Sequence, residues 1–561
     1  MPRGRTAALV FVLAIACGVR AANLRWMAAQ PASRTQFSWA EGDMATHWRW
    51  AGLIVDGDVL TRGAHGPYPP WMQEIAPLET WDRWHGERVF NKAPLYPYLL
   101  AGMRAAFGER YLPIGACHAA LGVLNVALVF LLAARFFDLA TATVAGLGAA
   151  LYGPFLLYET FLLRDTLAVT LSLALLLALS RCTGAARGPW MLAGAAFALA
   201  LLGRELVAPF GVFVAVWIWQ RFRGQREQMI GAFGAFTLGV VLGLLPLVAR
   251  NVAVGAPPLA LSAIGVEGIV YGHAVDSAPA AFHVPAATAT ILHASDGRVS
   301  ETIRGTLATY EGDWRRLVRN ELVRAAAIFS ALEGADNVNW YYFAGRSRLL
   351  AWSLRYEILL GLGLVGLWLA RRRARGDDRI VLYYLAVSLA ALQFIPVIGR
   401  YRLVVAALLL VYGAVTVVAV ARALGARDWR AAAGPALVSA GLAVVSARFL
   451  LVPGVNERCR LVEYLVAAQD AADRQDSEAL YGELRDCVDC LVEHADADTL
   501  SPWFQLVAED FTTVARALER TEEAAPMLDR LAARYVRDPV LPRLVAAMRT
   551  PRESIEGNAS P

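Results

Sequence analysis

The feature that most constrains this chain is a succession of apolar blocks separated by short arginine-rich turns. The blocks run at 7–28, 112–134, 139–157, 166–180, 189–203, 206–220, 229–249, 354–370, 380–397, 403–421 and 432–452. Hydrocarbon leaves no partner for a bare backbone N–H or C=O, so a spanning segment is a helix of about 17–25 apolar residues. By length the chain predicts about eleven spans, with 189–220 the weakest stretch. Over 561 residues, 57 % hydrophobic content and a mean hydropathy of +0.44 exclude a soluble chain of several polar-surfaced domains. The expected fold class is an all-α integral membrane bundle.

Arginine gives the bundle a direction. Clusters sit at Arg135, Arg181–Arg187, Arg221–Arg226, Arg371–Arg375 and Arg422–Arg430, each in a turn between apolar blocks. Positive charge in short loops marks the cytoplasmic side. With Arg3 and Arg5 inside and the blocks alternating, every cluster lands inside. Loop 29–111, the corner 158–165, Arg204-Glu205, loop 250–353, Gly399–Arg402 and the tail from 453 land outside. This is the layout of a bacterial inner-membrane protein with a cytoplasmic N-terminus and an extracytoplasmic tail. A net charge of +5 dispersed in this way offers no contiguous basic face for nucleic acid. Arg3 and Arg5 before an apolar run ending near Cys17-Gly18 also fit a signal peptide, but cleavage would untether the first outer loop, so an uncleaved anchor is the preferred reading.

The polar parts are substantial. Loop 29–111 is too long for a connector, and its segment 94–107 reads as a helix in or near the interface. Loop 250–353 holds a Gly/Ala/Pro stretch to about 297, helices expected at 299–309 and 314–331, and then Asp336-Asn337-Val-Asn339-Trp340-Tyr-Tyr-Phe343. Aromatics at that density suit either an interfacial belt or sugar stacking. From 453 the composition turns polar, with helical periodicity at 457–473, 477–493, 502–519, 523–536 and 540–549. Such a series suggests a tetratricopeptide-like domain over 453–550, with a small helical bundle as the alternative, and a surface for a protein partner. Residues 551–561 read as a disordered tail. The division is therefore 1–452, 453–550 and 551–561. Cys487-Val-Asp-Cys490 has no second pair and does not suggest zinc; in an oxidising compartment a disulfide from Cys459 to one of them is left open.

Chemistry collects on the outer side. Asp43 follows the first span, and Lys92, the only lysine of the chain, sits in Phe90-Asn-Lys92-Ala-Pro94-Leu-Tyr96-Pro97-Tyr98. A carboxylate near the membrane can serve as a base, and a fixed cation in an aromatic, proline-rich segment suits a phosphate. Further motifs follow in order: Tyr152-Gly-Pro-Phe-Leu-Leu-Tyr158-Glu159 leading to Leu163-Arg164-Asp165, then Gly203-Arg204-Glu205, Leu245-Pro246-Leu-Val-Ala-Arg250-Asn251 and Gly399-Arg400-Tyr401-Arg402-Leu403.

In the order, spacing and common side of these motifs the chain resembles the GT-C superfamily of polyprenyl-phosphate-dependent glycosyltransferases, which includes protein O-mannosyltransferases and aminoarabinose lipid A transferases. The resemblance spans roughly 1–425. It departs at Met44, where many members carry a second acidic residue after Asp43, and at Val404, where a proline is usual. It implies transfer of a sugar from a polyprenyl phosphate to an acceptor hydroxyl on a lipid, glycan or protein, on the extracytoplasmic face and with inversion. Asp43 and Asp165 are the implied catalytic carboxylates, Asp43 as base. Lys92, Arg204, Arg400, Arg402, Glu159 and Tyr96 are the implied substrate-binding residues.

Blander readings stand beside these. Asp43 could be a solvated loop residue, Asp165 a first-turn helix cap, and the arginines snorkelling boundary residues. The outer histidines show no HxH or HExxH spacing, and no phosphate loop or dinucleotide fingerprint occurs. No cofactor is therefore required, and a divalent metal is left open. Two rival functions remain. A transporter or flippase would carry paired repeats with broken helices, and no internal duplication is found. A non-catalytic envelope scaffold would explain the tail but not the ordered loop motifs.

Overall fold

The apolar blocks are largely helical in the computed structural model, which describes residues 3–38, 42–63, 76–80, 88–263, 265–278, 280, 283–296, 298–371, 378–448, 461–494 and 500–550. Among the described residues five helices are long and apolar enough to cross a membrane: Arg3–Ala28, Tyr111–Phe136, Arg226–Val254, Gly399–Gly425 with its 3-10 entry turn, and Trp429–Arg448. Leu139–Leu151, Asp165–Ser180, Arg187–Gly203, Tyr356–Ala370 and Arg379–Leu392 are shorter apolar helices, and Phe210–Arg221 is a further one of 12 residues. The chain is an all-helical integral membrane protein. Among the described residues the only β-type pairing is an isolated bridge between Tyr152 and Leu354.

Burial sorts the spans. In the Gly399–Gly425 helix 78 % of the most apolar window is buried, against 17 % for Trp429–Arg448, so the former is central and the latter peripheral. Peripheral helices leave large apolar side chains such as Phe11, Leu192, Val212 and Leu437 exposed, as a lipid-facing surface requires. Close crossings use glycine. A Cβ on Gly194 would collide with the Phe236 carbonyl, and one on Gly239 with the Met191 carbonyl, so Arg187–Gly203 and Arg226–Val254 meet backbone to backbone.

The expected block 139–157 is broken. The helix ends at Leu151, Tyr152 is extended (φ −73°, ψ 113°), and Gly153–Tyr158 is a separate short helix. Pro154 has no N–H to continue the ladder. The orphaned groups pair sideways instead, with Gly153 N–H donating to Leu354 O at 3.0 Å and Leu354 N–H to Leu151 O at 2.9 Å. Likewise the block 380–397 is helical only to Leu392, ahead of Pro396.

The two long loops contain helices too. Asp43–Val55 packs against Leu95–Phe107. Loop 250–353 contains Val299–Ala308 and Trp314–Phe329 as expected, together with Gly265–His273 and Thr288–Ser295 inside its Gly/Ala/Pro stretch. Trp340–Arg346 is capped by Asn339, whose Oδ1 accepts from Tyr341 and Tyr342 N–H at 2.9 and 3.3 Å. Among the described residues of the tail five helices follow one another, Val462–Asp473, Ser477–His494, Pro502–Ala517, Thr521–Arg534 and Leu541–Arg549. Cys487 and Cys490 are buried on the second of these. Cys459, His65, His85, Arg372, Arg373, Arg375 and the tail 551–561 lie outside the described residues.

Candidate active site

Three helix ends meet at one end of the bundle: the start of Asp165–Ser180, the exit of Arg187–Gly203 and the entry turn Gly399–Arg402. At the other end, Arg135 and Arg221 donate to the Ser180 and Thr183 carbonyls, and Arg422 pairs with Asp138 at 2.5 Å.

Arg400 organises the cluster. Its Nη2 donates to Asp43 Oδ2 at 2.5 Å and to Asp336 Oδ2 at 2.5 Å, its Nε donates to Asp336 Oδ2 at 3.0 Å, and its Nη1 reaches Asp165 Oδ2 at 3.2 Å. Arg204 Nη1 holds the other oxygen of Asp165 at 2.5 Å. Lys92 pairs with Asp43 Oδ1. Residues up to 357 positions apart in sequence therefore share one ion-pair network. Tyr401 lies beneath it, with the Arg204 and Arg400 guanidinium carbons 4.7 and 4.8 Å from its ring centroid.

Asp43 sits in the first turn of its helix, where a negative charge is favoured by the backbone dipole. Its N–H donates to Asn337 Oδ1 at 2.7 Å, and Asn337 Nδ2 donates to Asp43 Oδ2 at 3.3 Å. Burial pushes its carboxyl up, but Lys92 and then Arg400 outweigh burial and hold it well below the usual carboxylate range. His47, one turn on, is fully buried with Nδ1 2.7 Å from the Asp43 carbonyl oxygen. Burial, reinforced by Lys92, keeps that imidazole neutral well below its ordinary value. Lys92 is positioned through its neighbour: Ala93 N–H donates to Glu205 Oε1 at 2.6 Å, and Glu205 pairs with Arg164 at 3.1 Å. Burial raises Glu205, yet Arg164 brings its carboxyl below the ordinary value.

The structure thus brings Asp43, Asp165, Lys92, Arg204 and Arg400 together. It does not bring the other three. Arg402 points away, donating to the Ser330 and Leu332 carbonyls at 2.5 Å each and pairing with Glu333 at 3.1 Å, with Tyr356 stacked beneath at 4.0 Å. Glu159 pairs with Arg20 of the first helix at 3.1 Å. Tyr96 is buried behind Asp43, its ring edge-on to His47 at 5.1 Å and its hydroxyl 3.2 Å from His118 Nε2. Arg250 and Asn251 are also structural: Arg250 donates to the carbonyls of Leu60, Thr61 and Arg88, and Asn251 to those of Pro257, Pro258 and Ala260.

Asp336 and Asn337 are the site residues that sequence reasoning missed. Their run was visible as Asp-Asn-Val-Asn ahead of four aromatics, but the aromatics drew the reading toward a belt or a stacking surface. Among the described residues, no group of three His, Cys, Asp or Glu side chains is arranged to hold a metal ion.

Residues 91–249 match the family model described as dolichyl-phosphate-mannose-protein mannosyltransferase. The match covers less than half of the chain. The matched segment carries Lys92, Asp165, Arg204 and Glu205, while Asp43, Asp336 and Arg400 lie beyond it. No curated protein sequence matches the chain. Among solved structures the chain is similar to the apo oligosaccharyltransferase of Archaeoglobus fulgidus, at 14 % identity and TM-score 0.41, over 90 % of this chain and 59 % of that one. The same enzyme tethered to an acceptor peptide gives 15 % identity and TM-score 0.35, over 84 % and 59 %. ArnT from Cupriavidus metallidurans bound to undecaprenyl phosphate gives 15 % identity and TM-score 0.28, over 69 % and 80 %. At TM-scores below 0.5 these are loose likenesses, and the chain spans less than two thirds of the oligosaccharyltransferase.

Proposed function

We propose that the protein is a membrane glycosyltransferase that moves a sugar from a polyprenyl phosphate to an acceptor hydroxyl or similar group on the extracytoplasmic face. The observation that carries this reading is the joining of Asp43 to Lys92 and Arg400. Two candidate phosphate ligands hold the two oxygens of one candidate base, and the matched family model supplies the reaction class.

Charge governs the order of events. Asp43, Asp165 and Asp336 face Lys92, Arg204 and Arg400, so the cluster is balanced as it stands. An incoming donor phosphate must take cations from a carboxylate. Asp43 is the one able to yield, because its side chain is 21 % exposed against 2 % for Asp165 and 14 % for Asp336. Once the phosphate holds Lys92 and Arg400, Asp43 loses the charges that depress its basicity and faces the acceptor as a competent base.

The acceptor oxygen attacks the anomeric carbon from the face opposite the phosphate and its proton passes to Asp43. The bond to the phosphate oxygen breaks, its electron pair leaves with polyprenyl phosphate, and the cations stabilise the charge that develops there. A single displacement inverts the anomeric centre. Incubating the purified protein with a panel of polyprenyl-phosphate sugars and a membrane extract as acceptor source should release polyprenyl phosphate from one of them, and the Asp43→Asn protein should not. Equal release by both proteins, or none across the panel, overturns the reading. Alkaline phosphatase fusions test the face: activity is expected at 470 and none at 225.

A further inference from the structure

The tail helices do not stand apart from the charge cluster. Glu463, in the first turn of Val462–Asp473, is fully buried, and its Oε1 accepts the Asn339 backbone N–H at 2.9 Å. Asn339 is itself fully buried and spends its side chain capping Trp340–Arg346. Two residues upstream, Asn337 holds both the N–H and the carboxylate of Asp43, and donates to Asp336 at 2.7 Å. Asp336 in turn takes two bonds from Arg400. One continuous path of hydrogen bonds and three residues of chain therefore links a tail carboxylate to the base and to the central arginine.

The capped helix is gripped further along. Arg346 Nη2 lies 2.9 Å from Glu483 and 2.9 Å from Asp486 on the second tail helix. Its guanidinium stacks on Tyr342 at 4.0 Å and on Tyr464 at 5.2 Å, and those two rings meet edge to face at 4.9 Å. A docking surface kept only for an outside partner would not need a buried carboxylate on a backbone amide of the site-forming loop.

We propose that the tail is a working part of the transfer site, with Glu463 as a positioning residue that fixes the Asp336–Asn339 segment and, through it, Asp43 and Arg400. This rests on the transfer reading above. Glu463 touches no reacting atom. It sets where Asn337 and Asp336 stand, and so how far the cluster must rearrange when a donor arrives.

Three full-length proteins test this: Glu463→Ala, Glu463→Gln, and Arg346→Gln as a second lesion in the same grip. Glu463→Ala should lower kcat for sugar transfer by about tenfold or more, the scale of a lost hydrogen bond on a positioned group. The donor KM should change less than threefold, and the acid limb of the kcat profile should shift because Asp43 loses Asn337. Glu463→Gln keeps an acceptor oxygen for the Asn339 N–H and should restore most of kcat. Arg346→Gln should shift the acid limb in the same direction. Hydrogen exchange over 334–346, read without substrate, should speed up in the Ala protein and not in the Gln protein. An Ala protein with wild-type kcat per folded molecule, an unshifted profile and unchanged exchange overturns the proposal, as does a Gln protein no better than Ala. If the wild type transfers no sugar at all, the function reading fails, while the exchange comparison still decides the clamp.

Discussion

Arg400 and Arg402 are two residues apart in one 3-10 turn, equally buried, and were given the same role by sequence reasoning; their partners separate them. Arg400 is held by side-chain carboxylates, which can turn away when a better anion arrives. Arg402 is held by two main-chain carbonyls and the enclosed Glu333, which cannot. A cation whose partners are exchangeable can bind a ligand. One tied to backbone fixes the loop that carries Asp336. The same division holds between Lys92, paired with the part-exposed Asp43, and Arg250, tied to three carbonyls.

The largest effect should come from the exchangeable side of this divide. Asp43→Asn keeps the shape and one accepting oxygen but lacks the basic carboxylate, and should cost about 10²–10⁴ in kcat with the fold intact. A turnover within threefold of wild type would move the base to another carboxylate. Next comes the fixed side. Arg402→Met strands Glu333 in a buried position, and removing one member of a buried pair costs about 3–5 kcal/mol. Chemical unfolding in detergent should show that loss, and transfer per folded molecule should suffer far less than in Arg400→Gln. The reverse pattern would erase the distinction.

Glu159 sharpens the fixed class through pH. Burial raises its carboxyl from 4.5 to about 7 despite Arg20. A folded value above the unfolded one means that the native state holds the extra proton between them. Stability from this group is thus complete below about 4.5 and declines as pH rises toward 7, by on the order of 3 kcal/mol. Unfolding free energies at pH 5 and pH 8 should differ in that sense for wild type, and the difference should shrink in Glu159→Gln. The smallest effect belongs to Lys92→Met, which should weaken donor binding by about 1.5–3 kcal/mol, the scale of one charge-assisted hydrogen bond. Lys92→Arg should restore only part of it, since a planar fork does not reproduce a compact ammonium. An unchanged donor Kd in detergent would leave the lysine as an anchor.

Much of the fold was legible because hydrocarbon enforces one rule on every block: apolar length predicts a helix. What escaped was local. Pro154 and Pro396 end helices inside apolar runs, a backbone effect that hydropathy does not register. In the site, Asp43, Asp165, Lys92, Arg204 and Arg400 could be picked out because they stand in the ordered loop motifs on which the family resemblance rests. That same argument cannot tell Arg400 from Arg402, since both stand in one such motif and only the direction of the side chain differs. Asp336 and Asn337 lie in a loop with no periodicity, and their place was fixed by Arg400, 64 residues away. The grip of Glu463 on Asn339 spans 124 residues and leaves no trace in spacing.

Lys92 carries the chain's sole side-chain amine, and that amine is nearly enclosed and bound to Asp43. An acylating reagent therefore finds a single ε-nitrogen in 561 residues, at the place where a phosphate is proposed to bind. Its rate of modification, read by mass spectrometry on one peptide, becomes an occupancy gauge. Any ligand that reaches the cluster will register as a change at one atom, without a radiolabel, an engineered probe or knowledge of the sugar.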